Sequence, residues 1–159
     1  MRHSFLHRVS GFTLVEFIVV IVIIGIVAAF AAPRLFDDRT FLQRGYYEEL
    51  VAALKYSQRL AVASGCPVRV VVDDAGYAAR QQAASAGTCN LADTTRLMNI
   101  ALTDGEVLVG SMPFGVRVSP VTLTFDPLGS TDLGADRDVA VGPFTFTVRA
   151  ASGFIQGTD

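Results

Sequence analysis

Histidine is almost missing from this chain. Its two copies, His3 and His7, fall within the first 11 residues, and none follows. A Ser-His-Asp or Cys-His catalytic set is therefore excluded from the rest of the molecule. Cysteine is equally scarce, with only Cys66 and Cys89. Two thiolates without a histidine make a poor zinc site, which usually needs four ligands. No Gly-rich phosphate loop occurs. No nucleophile–base pair can be drawn, so the sequence predicts no enzyme, no catalytic residue, no metal ligand and no cofactor. Asp132, Asp136 and Asp138 lie close enough in sequence to offer oxygens to calcium. Their spacing matches no EF-hand, and a solvated acidic loop is the expectation.

Charge is missing where it matters most. Between Phe12 and Ala32 the one ionisable side chain is Glu16. As a helix this run is about 32 Å long, the thickness of a bilayer core. A carboxylate costs roughly 2.5–3.5 kcal/mol at mid-membrane and less near the end. An acid kept there at such a cost reads as functional and needs a partner. Ahead of it stand Arg2 and Arg8 and no acid. That charge placement keeps the N-terminus cytoplasmic and sends the remainder across the membrane.

Three readings of residues 1–32 compete. An ordinary secretory signal peptide would use Phe17–Val27 as its apolar region and Ala29-Phe30-Ala31 as its cleavage site, releasing a secreted protein. It leaves Glu16 without a purpose. A plain membrane anchor with an incidental acid is the second. The third rests on Gly11-Phe12-Thr13-Leu14-Val15-Glu16 and the apolar run that ends at Pro33. This segment resembles the N-terminus of type IV pilins and pseudopilins. It has the glycine before the cut, the aromatic after it, the acid at the fifth mature position and the closing proline. Phe17 stands where leucine is more usual, and it is still apolar.

The resemblance implies cleavage between Gly11 and Phe12 by a prepilin peptidase and N-methylation of Phe12. It also implies that Glu16 of an incoming subunit pairs with the Phe12 amine of its neighbour. An unpaired buried charge is expensive and a paired one is tolerated, so docking into a filament would offset the penalty. Glu16 would then set register more than raw stability.

Four segments follow: a leader at 1–11, a transmembrane half-helix at 12–32, an amphipathic half-helix at 33–64 and a β-rich periplasmic domain at 65–159. The soluble part is one domain's worth. Loss of Arg2 and Arg8 with the leader takes the whole-chain charge of −2 to −4. That mild acidity argues against nucleic acid as the main partner. Both cysteines fall on the far side of the membrane, where disulfides persist. A Cys66–Cys89 bridge would contribute about 3–3.5 kcal/mol on the chain-entropy model; free thiols are the alternative.

Leu42, Tyr46, Leu50 and Leu54 recur every four residues, with Tyr47, Val51 and Ala61 nearby. This is a helical stripe that packs on a core, and Pro33 predicts a kink where the helix leaves the membrane. Glu48 and Glu49 fall on the polar face. Gly65-Cys66-Pro67 stops the helix. Alternation then predicts strands at 68–72, 77–81, 96–102, 106–109, 116–118, 122–125 and 144–149, with a final short one at 153–156. Residues 82–92 read as a loop, and 129–138 as the least ordered segment. The predicted class is α+β: a pilin-like long N-terminal helix, transmembrane then amphipathic, on antiparallel β-sheet.

Within the pilin-like group the C-terminal part looks like the GspH/FimT type of minor pseudopilin. The resemblance lies in the helix followed by strands, the Phe-Asp-Pro-Leu-Gly turn at 125–129 and the closing Gly153-Phe154-Ile155. Residues 36–68, with Ala-Val-Ala-Ser-Gly-Cys-Pro-Val, are also similar to minor pilins of mannose-sensitive haemagglutinin-type systems. These resemblances imply a low-abundance subunit of a type II secretion pseudopilus or a type IV pilus that initiates or caps assembly. Its partners would be other pilins, the prepilin peptidase and the inner-membrane assembly platform. Its place would be the inner membrane, single-pass, or outside the cell in a pilus. Some FimT-type pilins bind DNA through a basic C-terminal Gly-Arg-x-Arg motif. Here Gly153-Phe154-Ile155-Gln156-Gly157-Thr158-Asp159 carries no base, so the phosphate-binding footprint is missing. Tip adhesion stays open, with no loop singled out.

Overall fold

The computed structural model describes residues 13–35, 38–83, 89, 96–103 and 105–158, with side chains for all of these but 29–35, 38 and 158. The chain forms two compact units, Met1–Asp38 and Arg39–Asp159.

In the first unit, α1 spans Leu14–Leu35 and continues through Pro33. Every described side chain from Thr13 to Ala28 is exposed. A helix that is apolar all round has no polar face to give to water; it belongs in lipid or among other helices. Among the described residues no helix is long and apolar enough to cross a membrane, and the run Phe12–Ala32 extends past Ala28, the last described side chain of α1.

The second unit carries α2, Asp38–Ser64. Tyr46, Tyr47, Leu50, Val51, Ala53, Leu54, Ser57 and Ala61 face inward. The predicted stripe starts one turn late: Leu42 is exposed, as is Phe41. Ser57 can sit fully buried because its hydroxyl donates to the Ala53 carbonyl at 2.7 Å. Gly65, at φ 68°, ends the helix in the left-handed region that favours glycine.

Eight strands pack under α2: β1 Val68–Asp73, β2 Gly76–Gln82, β3 Leu97–Asn99, β4 Val109–Ser111, β5 Val121–Phe125, β6 Arg137–Val141, β7 Phe144–Val148 and β8 Ile155–Thr158. The first sheet runs β3-β2-β1-β5, with β4 also on β2; the second runs β6-β7-β8. All the pairings are antiparallel. In β1 the inward residues Val68, Val70 and Val72 alternate with outward ones, and β5 does the same with Val121, Leu123 and Phe125. The two sheets and α2 share one core, with Leu50, Leu54, Leu123, Phe125, Val139 and Phe146 fully buried.

Several expectations shift. The expected strand at 116–118 is only a bridge between Val118 and Val141. The strand placed at 106–109 forms later, at β4. The segment 129–138 is tied down rather than loose. Thr131 N–H donates to the Ala150 carbonyl at 3.0 Å, and Thr124 N–H donates to Asp132 at 2.7 Å. Its end is already β6, a strand the alternation missed because Arg137 and Asp138 open it and only Val139 and Val141 face the core.

Candidate functional site

Thr13 caps α1. Its hydroxyl accepts the Glu16 N–H at 3.2 Å, and its carbonyl accepts the Phe17 N–H at 3.1 Å. Thr13 and Glu16 thus have the spacing of a capping box, in which a glutamate three residues after the cap faces the donor-rich end of the helix. Glu16 lies in the first turn, where the helix dipole favours negative charge. The sequence reading overlooked Thr13, although the Thr-x-x-Glu spacing was legible. Gly11 and Phe12 lie outside the described residues.

Cys66 and Cys89 form a disulfide, with Cα atoms 5.3 Å apart. It ties the segment just after α2 to the loop that follows β2. Three further hydrogen bonds reinforce that end of α2. The Ser64 hydroxyl donates to the Leu60 carbonyl at 2.6 Å and accepts from Cys66 N–H at 3.2 Å and Gln81 Nε2 at 2.6 Å.

The three loop aspartates do not converge. Asp132 accepts from Thr124 N–H. Asp136 pairs with Arg149 at 2.6 Å and accepts Ala150 N–H at 2.9 Å, while Asp138 accepts the Thr147 hydroxyl at 2.6 Å. The Arg149 hydrogen bond and the Ala150 N–H hold the Asp136 carboxyl below its ordinary value. Among the described residues no group of His, Cys, Asp or Glu could hold a metal ion.

The Phe-Asp-Pro-Leu-Gly turn is built on Asp126. Its Oδ1 accepts Leu128 N–H and Ser130 N–H, each at 2.9 Å, and its Oδ2 accepts the Ser130 hydroxyl. Burial pushes this carboxyl up, but the bonds from Ser130, Leu128 and Gly129 outweigh it and the net shift is downward. Gln58 of α2 clamps this turn to the one between β7 and β8. Its Nε2 donates to Gly129 O at 2.9 Å and to Ser152 O at 2.8 Å. Sequence patterning could not find Gln58, whose partners lie 71 and 94 residues away.

At the other side of α2 the Tyr77 hydroxyl donates to Glu49 at 2.8 Å. Glu49 is therefore not simply a solvated charge. Burial, then the Glu49 hydrogen bond, pushes the Tyr77 phenol up. Burial, with the carboxylates of Glu49 and Asp73 behind it, pushes Tyr46 up to about 12. Glu49 and Tyr77 also line a groove of about 500 Å³, together with Ala52, Ala53, Tyr56, Leu102 and Leu108 and the charged Lys55 and Arg59.

Two family models match. The prokaryotic N-terminal methylation motif covers residues 6–32, and the type II transport protein GspH covers residues 47–157. The chain belongs to the GspH family. Members of this family are structural subunits, so the chain is a minor pilin or pseudopilin and not an enzyme. The fold resembles that of a solved minor pilin. One crystal structure of the type IV minor pilin FimU from Pseudomonas aeruginosa matches with a TM-score of 0.51 and 18% identity, covering 78% of this chain and 92% of that one. A second crystal form of FimU matches with a TM-score of 0.49 and 17% identity over 73% of this chain and 92% of that one. No curated protein matches the chain.

Proposed function

We propose that this GspH-family subunit helps initiate or cap a filament of the type II secretion kind, a periplasmic pseudopilus. The family's own description, a type II transport protein, favours the pseudopilus over a type IV pilus. In this reading prepilin peptidase cuts between Gly11 and Phe12, and Phe12 is N-methylated. The run Phe12–Ala32 anchors the chain in the inner membrane, with the leader cytoplasmic and the β-rich domain periplasmic. Pro33 bends the helix as it leaves the bilayer. Other pilins and the assembly platform are the partners.

One observation carries the reading. From Leu14 to Ala28 the side chains of α1 form an exposed, uncovered apolar surface whose sole ionisable side chain is Glu16. Such a helix needs a lipid or protein environment, and a carboxylate there needs a cation. The new amine of Phe12 on a neighbouring subunit supplies one.

Glu16→Ala tests it. The variant should insert and be cleaved as the parent is, yet be depleted from the complexes with other pilin-like subunits that co-purify from cross-linked membranes, probed by immunoblot. Normal incorporation overturns the pairing role. Intact-mass analysis of membrane-extracted protein should give a methylated chain starting at Phe12. A start at Ala32 would refute the reading.

A further inference from the structure

The register of the first sheet places two arginines side by side. Arg69 of β1 is the direct cross-strand partner of Arg80 of β2. Arg80 faces Asn99 on its other side, and Arg69 faces Thr124, so one row reads Asn99–Arg80–Arg69–Thr124. This row lies on the face turned away from α2, because the intervening residues Val68, Val70 and Ala79 point into the core. Directly opposed side chains have Cβ atoms about 4.5–5.5 Å apart, and like charges in that position destabilise a sheet.

Among the described residues no ion pair relieves this. Among the described residues the ion pairs join Arg44 to Glu48 and Arg149 to Asp136, and neither Arg69 nor Arg80 takes part in one. Two described acids beside this sheet are engaged by backbone N–H groups. Asp132, beyond Thr124, accepts the Thr124 N–H, and Asp73, in the turn at the far end of β1, accepts the Ala75 N–H at 2.8 Å. The next row of the same face is Val109–Ala78–Val71–Thr122. Val109 is half exposed, so the arginine pair borders an apolar strip.

We infer that this face of β1 and β2 docks an acidic protein segment, with Arg69 and Arg80 binding its carboxylates. Two observations favour protein over nucleic acid. Two cations on a net-negative chain do not make the multi-phosphate footprint that polynucleotide affinity requires. A pair of guanidinium forks beside an apolar strip has instead the composition of a protein interface, with arginine geometry matched to carboxylate. The inference stands apart from the filament role of Glu16, because it uses residues of the second unit alone.

The test uses the full chain in nonionic detergent and fluorescein-labelled octaglutamate, followed by anisotropy at low salt. R69Q/R80Q should weaken octaglutamate binding at least about tenfold, the worth of losing charge-assisted hydrogen bonds. R80Q alone, at an exposed position, should lose about threefold. R117Q/R137Q, with the same change in net charge at other exposed positions, should bind like the parent. The melting temperature of R69Q/R80Q should rise by about 2 °C as the repulsion is relieved. Equal binding by R69Q/R80Q and the parent, or no binding by the parent, overturns the proposal. So does a fall in melting temperature, which would show the pair satisfied within the fold. Tighter binding of a thymidine 16-mer through the same two arginines would overturn the assignment to protein.

Discussion

Gly153→Ala is the sharpest probe of how α2 is locked onto the β-domain. Gly153 has φ 63°, where an L-residue costs about 1–2 kcal/mol. A methyl group there would overlap the carbonyl oxygen of Gly129 and come within 2.7 Å of Gln58 Nε2 and 3.1 Å of Phe125 Cε1. Backbone cannot yield as a side-chain tip can, so the two turns must separate. That removes the Gln58 bonds to Gly129 and Ser152, each contributing about 0.5–1.5 kcal/mol. The expected loss is about 2–5 kcal/mol. Gly115→Ala is the control, since φ is 82° but nothing lies within 4 Å. It should lose only the conformational part, about 1–2 kcal/mol. Urea unfolding followed by tyrosine fluorescence suits the chain, which has no tryptophan and buries Tyr46, Tyr47 and Tyr77. With a slope of about 2 kcal/mol per molar, the Gly153→Ala midpoint should fall by about 1–2.5 M. Equal midpoints for the two variants would refute the claim that the close approach of the turns, rather than φ alone, requires glycine at 153.

Removing the Cys66–Cys89 bridge as C66S/C89S should cost about 3.4 kcal/mol for its loop on the chain-entropy model, read by the same urea titration; a loss under about 1 kcal/mol would contradict it. Asp126 has a lowered carboxyl pKa, so its contribution is present above the unfolded value of about 4 and is lost as pH falls through the folded value. Asp126→Asn should therefore flatten the acid limb of a melting-temperature profile below about pH 4, and an unchanged limb would count against the turn's role. Tyr46 has a buried hydroxyl without a hydrogen-bond partner among the described residues, so Tyr46→Phe should be neutral or stabilising by up to about 1 kcal/mol. Because its folded pKa is raised to about 12, stability present below pH 10 falls between 10 and 12, and the Phe variant should lose that part of the alkaline decline.

Local chemistry carries the legible part of this molecule. The apolar run with one acid, the Gly65-Cys66-Pro67 stop and the Asp73–Gly76 turn each declare themselves within a few residues. So does the valine alternation of β1. The helical stripe was also legible, but its start was not, because Leu42 and Leu54 have the same apolarity and only tertiary packing separates the exposed one from the buried one. Strand β6 escaped because two charged residues open it. Its pairing with β7, from Arg137–Val148 to Val141–Phe144, comes from a partner strand and not from its own composition.

By itself the sequence determined the family of this protein and the motif at its N-terminus, because both are carried by residue patterns along the chain. Tertiary structure decided what depends on distant residues meeting. It set Gln58 across two turns and Tyr77 on Glu49. It sent three aspartates to three different partners, and it placed Arg69 opposite Arg80. Those are consequences of strand register and helix docking, and a shift of one residue would move every such side chain to the other face.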